Sequence, residues 1–399
     1  MFKQFSLKTT YQYLLIALAF LMPITVAGAN LIVVSICLLW IFSGNYKFKY
    51  NQIISSKLML ASIAFFFLHV IGLIWTEDLS WGLHIVHKMW YFLLLLPVLH
   101  SVVSRKDLKY YIYSFLLAIA LTEVISYAVW LEVIPPFKNA TAANPTPFMS
   151  HISYNPILAF AIYLVLHEIF FNYKLKKAEV FFYSFFSVSM SINMFITGGR
   201  AGQVMFFAVL SILIFQYFNS QKFKAVVIIL IVSSTIFFTA YQSSNMFLTR
   251  VNNVITDIQN YEVNKNTSIG LRVSFAINSW EVISSNPIIG VGTGDFPSEY
   301  QKVNMKNTPE LPNATNPHNM YVLVLMQLGI VGLISFLLIF YYQIKLSFAS
   351  KNLLIKNTGI ALPVLFLLIM LSDSYLLGHY TSLVYIFFSS FLYKDFEKS

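Results

Sequence analysis

Apolar residues gather into runs near the length that crosses a bilayer, and polar positions fall almost entirely between them. The runs lie at 11–26, 27–42, 58–75, 83–103, 108–131 and 152–171, then 180–197, 201–218, 225–241, 320–344, 359–377 and 380–393. About 20 apolar helical residues span a hydrocarbon layer roughly 30 Å thick. The pattern therefore predicts an all-α integral membrane protein of about 12 transmembrane helices, forming a single polytopic domain over residues 1–399. The longest polar interval, 242–317, separates spans nine and ten. Within it, Leu271, Phe275, Ile277 or Asn278, and Val282 recur at helical spacing over 269–285, and Asn286–Pro287 ends the run. This predicts an amphipathic helix at the outer membrane surface. The following Gly290-Val291-Gly292-Thr293-Gly294 has the composition of a phosphate loop but lacks its lysine and preceding strand, so a flexible turn is expected.

Composition sharpens the class. The chain is 58% apolar and 11% charged, against roughly 45–50% and about 25% in soluble domains. A formal net charge of +10 would suit a nucleic-acid binder, but the distribution of the basic residues assigns it to topology instead. Of 26 Lys and Arg, 18 fall at the N-terminus or in alternate connections: Lys3, Lys8, Lys47, Lys49, Lys57, Arg105, Lys106, Lys109, Lys174, Lys176, Lys177, Lys222, Lys224, Lys345, Lys351, Lys356, Lys394 and Lys398. This positive-inside pattern places both termini in the cytoplasm and 242–317 outside. Lys3 and Lys8 before the first run give it the shape of a signal peptide. A second apolar run follows at once with no polar domain after it, so the pair is expected to be two spans. The single cysteine, Cys37, lies in an apolar run and has no intramolecular partner for a disulfide.

Candidate chemistry concentrates on the outward side. The chain has four arginines against 22 lysines, and Arg200, Arg250 and Arg272 all fall in outward connections, which topology selection disfavours. A guanidinium grips phosphate oxygens with two parallel hydrogen bonds and stays charged, so the cluster points to an anionic ligand; lipid headgroups or acidic neighbours are the alternative. Arg200 sits in Thr197-Gly198-Gly199-Arg200-Ala201-Gly202, where small residues permit close helix approach. Lys88 lies five residues into its span, with His84 one turn earlier and His87 adjacent. A charge at that depth either snorkels to the interface or has a partner. His318, in Asn316-Pro317-His318-Asn319-Met320-Tyr321, stands where the outward segment re-enters the membrane. A neutral imidazole there can take a proton from a hydroxyl if a neighbour fixes its tautomer; an ordinary interfacial histidine is the plainer reading. Glu123, inside a span, is either a proton relay or a helix-to-helix hydrogen bond. The eight histidines are scattered without metal-ligand spacing, so no metal is expected.

Three segments together resemble the O-antigen ligase and polymerase family of bacterial envelope glycan enzymes. They are Thr197–Gly202 with Arg200; Gly270-Leu271-Arg272 continuing through Trp280 to Asn286-Pro287-Ile288-Ile289-Gly290-Val291-Gly292; and His318-Asn319-Met320-Tyr321 followed by Leu328-Gly329-Ile330-Val331-Gly332. They span roughly the second half of the chain. The resemblance implies a C-type glycosyltransferase-like membrane fold with an undecaprenyl-diphosphate-linked glycan donor, a lipid A core acceptor and no cofactor or metal. It implies that His318 is the catalytic base and that Arg200 and Arg272, with Lys88, bind the diphosphate. Arg250, Asn319, Tyr321 and His84 are further candidates. Gly199 stands where the family often has serine, and Val322 where leucine is common. The expected activity is that of an inverting O-antigen ligase in the bacterial inner membrane, acting on the periplasmic face. A polymerase that uses a second lipid-linked repeat as acceptor, and a lipid-linked glycan transporter, are the alternatives. A transporter should show internal repeats and ionisable residues near the bilayer midplane; no repeat is visible, and the unusual charges gather toward the outer face.

Overall fold

The computed structural model describes residues 6–138 and 140–395, so Lys3 and Lys398 of the basic pattern lie outside the described residues. In chain order the helices are α1 (Leu7–Leu21), α2 (Val26–Phe42), α3 (Tyr46–Ile54), α4 (Lys57–Ile71), α5 (Leu79–Trp90), α6 (Leu96–Val102) and α7 (Leu108–Trp130). Then come α8 (His151–Phe171), α9 (Lys177–Ile196), α10 (Arg200–Tyr217), α11 (Lys222–Ser243), α12 (Asn245–Gln259), α13 (Ser268–Ser285) and α14 (Phe296–Asn307). The last three are α15 (Met320–Ala349), α16 (Leu353–Ile369) and α17 (His379–Leu392). Among the described residues the only β-type pairings are two isolated bridges, at Phe137–Ala140 and Thr141–Asn144.

Every apolar run is helical, and eight helical stretches are long and apolar enough to cross a membrane. The number becomes nine if α2 and α3, bent by 116°, form one span. One stretch joins α5 to α6 through a π-helical turn at Tyr91–Leu95, just before Pro97. Proline has no N–H to continue the ladder, and the wider turn absorbs the loss. The remaining runs coincide with α1, α16 and α17, of 15, 17 and 14 residues, each short of about 20. The run at 359–377 is shorter as a helix because the chain turns after Ile369 and forms an irregular segment to Gly378.

The chain forms two compact units. The first comprises Met1–Val33, Lys106–Asn252 and Lys351–Leu365; the second comprises Val34–Arg105, Asn253–Ser350 and Phe366–Ser399. In the first, α8 packs closely on α10. A Cβ on Gly202 would lie 2.1 Å from Asn155 Cβ, so glycine lets the backbones meet. Asn155 answers with its amide: Nδ2 donates to the Gly199 carbonyl (3.2 Å), and Oδ1 accepts from Thr197 Oγ1 (2.8 Å). Glu123 takes the helix-to-helix alternative, its Oε1 accepting from Ser189 Oγ between α7 and α9 at 2.5 Å.

In the second unit the glycine-rich segment after α13 seats against a break in α15. Val291 N–H donates to the Met326 carbonyl (2.9 Å), Gly292 N–H to Gln327 (3.0 Å), and Ile330 N–H to Pro287 (2.9 Å). Gly329 interrupts α15 at φ +60°, and a Cβ there would lie 2.3 Å from the Ile288 carbonyl carbon. Gly290, at φ +69°, meets Gln327 in the same way at 2.4 Å. The two glycine motifs thus fit each other. The turn expected to be flexible is pinned: the N–H groups of Thr293 and Gly294 go to the Gly72 carbonyl and Thr76 Oγ1. Asp295 accepts from the N–H groups of Glu77 and Asp78. Residues 291–294 keep no backbone donor for a phosphate.

The 242–317 segment holds three helices rather than one. The expected helix is α13, capped by Thr267, and its buried face carries Phe275, Asn278 and Val282 while Ile277 is exposed. The additional helices are α12 and α14.

Candidate active site

In the second unit, His318 stands on the loop leading into α15. Its φ of +52° is costly for a residue with a side chain, by about 1–3 kcal/mol, and the neighbouring polar groups hold it there. Asn316 Oδ1 accepts from the His318 N–H (3.0 Å) and from Ser374 Oγ (2.8 Å). Asp373 Oδ1 accepts from the Ser374 N–H at 2.7 Å and pairs with His318 Nδ1 at 3.1 Å. The His318 side chain is 42% exposed and that of Asp373 16%, so the carboxylate is shielded while the imidazole stays accessible.

Helix α13 completes this arrangement. Phe275 lies face to face with the His318 ring at 6.1 Å, and Arg272 precedes Phe275 by one turn on the same helix. Burial pushes the Tyr375 hydroxyl up to about 12, with Asp373 acting in the same sense and Arg272 opposing. Arg272 thus acts electrostatically on Tyr375, two residues from Asp373, and Tyr375 remains a hydrogen-bond donor at neutral pH.

The other candidates in this unit have structural bonds. Asn319 caps α15, its Oδ1 accepting from the N–H groups of Tyr321 (3.0 Å) and Val322 (3.2 Å), while Nδ2 donates to the Leu371 carbonyl. Tyr321 Oη donates to the Leu367 carbonyl at 2.6 Å. The His84 ring packs beside Trp81 at 5.0 Å. Among the described residues no hydrogen bond or ion pair joins Lys88 or His84 to His318. However, α5, which carries both, packs against Tyr375–Leu377, and Tyr91, just past its end, bonds His379 at 2.7 Å.

In the first unit, Arg200 opens α10 and His151 opens α8. A Cβ on Gly199 would lie 2.8 Å from the His151 carbonyl oxygen, so the two helix starts are side by side. Asn144 Nδ2 donates to His151 Nδ1 at 3.1 Å, and Asn144 Oδ1 accepts from the Gly198 N–H at 3.4 Å. Arg250, on α12, brings Nη2 within 3.3 Å of a Cβ on Gly198. Both guanidiniums act electrostatically on the His151 ring. Among the described residues, no three His, Cys, Asp or Glu side chains gather as a metal site.

Asp373, Asn316, Ser374, His151 and Asn144 were not legible as site residues. Asp373 is a lone carboxylate 55 residues from His318. No local pattern announces such a pairing.

This geometry belongs to a multi-pass helical membrane protein with a polar site between its spans. Residues 185–337 match the family described as O-antigen ligase, a stretch running from within α9 into α15 and including Arg200, Arg250, Arg272 and His318. An uncharacterized protein of Haemophilus influenzae is 27% identical over 310 residues, covering 72% of this chain and 73% of that protein. The matched stretch is thus similar to the O-antigen ligase family.

Proposed function

We propose that the protein is an O-antigen ligase of the inner membrane. It moves a glycan from undecaprenyl diphosphate to a hydroxyl of a lipid A core sugar on the periplasmic side. The observation that carries this reading is the His318–Asp373 pair, held in a strained loop beside Arg272. With Nδ1–H donating to Asp373, Nε2 is the basic nitrogen of a partly exposed ring. The acceptor hydroxyl gives its proton to Nε2 as its oxygen bonds to the anomeric carbon. The bond from that carbon to the diphosphate oxygen breaks, the electron pair leaves with the diphosphate, and the configuration inverts. Asp373 stabilises the imidazolium, and Arg272 meets the growing negative charge of the leaving group. No step requires a metal.

The test uses purified protein in detergent with an undecaprenyl-diphosphate glycan, offering lipid A core and a second lipid-linked glycan as rival acceptors. Transfer to the core, lost in His318→Ala, is expected. Lengthening of the lipid-linked chain would replace ligase with polymerase, and undiminished transfer by His318→Ala would remove the proposed base.

A further inference from the structure

Helix α13 is apolar on two sides. Phe275, Asn278, Val282 and Ile283 turn into the second unit, so most of the residues that predict the helix are taken up by the protein's own core. A second stripe, Val273, Ile277 and Trp280, recurs at spacings that share one helix face. It stays open: Ile277 is 57% exposed and Trp280 63%. Ile288 and Ile289, just past the helix end, are exposed as well. A contiguous row of exposed apolar side chains marks an interaction surface.

What covers the stripe follows from where it leads. Ile330 N–H donates to the Pro287 carbonyl (2.9 Å) and Val331 N–H to that of Ile288 (3.3 Å). The isoleucines after α13 thus join directly onto Ile330, Val331 and Ile334 of α15, which are exposed too. Helix α15 is apolar enough to cross a membrane, so its exposed aliphatic side chains face hydrocarbon. At 30 residues it is also longer than one crossing needs, and the break at Gly329 divides it. Residues 330–349 supply the roughly 20 that span the hydrocarbon layer. Gly329 therefore falls at the edge of that layer, and Ile288, Ile289 and the end of α13 fall there with it.

The rim of the stripe has the polarity this location asks for. Glu281, next to Trp280, accepts from Lys306 Nζ (3.0 Å) and Asn307 Nδ2 (2.8 Å), and all three residues are exposed. The Trp280 indole joins a broad apolar ring to one N–H donor, the combination enriched at headgroup depth. Tryptophan, isoleucine and valine on one face with charge beside them is the pattern of a helix lying in a membrane interface.

We propose that α13 is an in-plane helix whose Val273, Ile277 and Trp280 face is seated in the headgroup layer of the bilayer, on the side of the membrane where α15 begins. The helix is then held from two sides: Phe275 packs on His318 at 6.1 Å within the unit, and the opposite stripe rests on lipid. The partner is the membrane surface itself, and the inference requires neither a glycan nor a transfer reaction.

The experiment places an environment-sensitive fluorophore on single cysteines in the full chain, in a Cys37→Ser background that removes the one native cysteine. The purified protein is reconstituted into vesicles of phosphatidylethanolamine and phosphatidylglycerol whose acyl chains carry bromine close to the ester groups, where it quenches only labels that enter the bilayer. Labels at Trp280→Cys and Ile277→Cys should be quenched at least as strongly as one at Ile334→Cys, on the lipid-facing side of α15. A label at Lys302→Cys, exposed on α14, should keep its emission. All four positions are exposed, so the substitutions leave the packed core intact. Unquenched labels at both Trp280 and Ile277 beside a quenched Ile334 would overturn the proposal. It fails equally if those two labels are unquenched in the vesicles yet shielded from a water-soluble quencher in native membranes, since the face then takes a protein partner. Glycan transfer is measured on the same vesicles: its absence with quenched labels removes the ligase reading alone, and its presence with unquenched labels removes the membrane seat alone.

Discussion

Two histidines stand where a loop enters a helix, each with Nδ1 held at 3.1 Å, yet the partners differ. His318 in the second unit faces the carboxylate of Asp373; His151 in the first faces the carboxamide of Asn144. A carboxylate accepts from Nδ1–H and leaves Nε2 with the lone pair, which suits a base. An amide that donates to Nδ1 occupies the nitrogen's lone pair and turns the ring into an N–H donor. The surroundings follow the same division. His318 has a strained backbone, a shielded acid and an aromatic face, whereas His151 has two guanidiniums and two helix starts. The first arrangement has the chemistry of a base, and the second gathers positive charge.

Substitutions can break this comparison at either end. The largest effect is expected from His318→Ala, which should lower glycan transfer by about 10²–10⁴-fold with unchanged membrane insertion, measured as turnover of purified protein. Arg272→Ala should cost about 10²–10³-fold through lost stabilisation of the leaving group. Arg272→Lys should restore only part of this, because lysine cannot offer the fork; full recovery would show that charge alone suffices. Asp373→Asn makes the His318 pair resemble the His151 pair and should lower transfer by about 10²-fold. The bonds from Ser374 N–H and Asn316 should persist, so an unchanged thermal midpoint beside the lost rate would separate positioning from folding. The smallest effect is expected from Asn319→Ala. Removing the α15 cap should cost about 0.5–2 kcal/mol of stability, seen in the melting temperature, and a selective loss of turnover in the still-folded protein would return Asn319 to the chemistry.

Much of the architecture was legible because a bilayer demands long apolar helices with internally paired backbones. Each predicted run contains a helix, and α13 appeared where Leu271, Phe275 and Val282 recur. Spans with long runs were clearest. The run at 359–377 misled because hydrophobicity continues past Ile369 into a turn packed inside the second unit, where Leu376 is buried without being helical in the spanning sense. Phe247, Val251, Val254 and Ile258 of α12 do recur at helical spacing, but the stretch is too polar to read as a span, and α14 is polar on average. Neither resembles a span.

The sequence by itself determined that the fold is built of long apolar helices, and it singled out the arginines and His318 as candidates. Those conclusions rest on composition and local period, which one stretch of chain contains. Only the tertiary structure decided that the glycine-rich segment is a clasp for the break at Gly329 rather than a phosphate loop. It also decided that Asp373 and Asn144 are the residues that set the two imidazoles apart. A carboxylate pairs with a histidine 55 residues away through the route of the backbone between them, and nothing local encodes that distance.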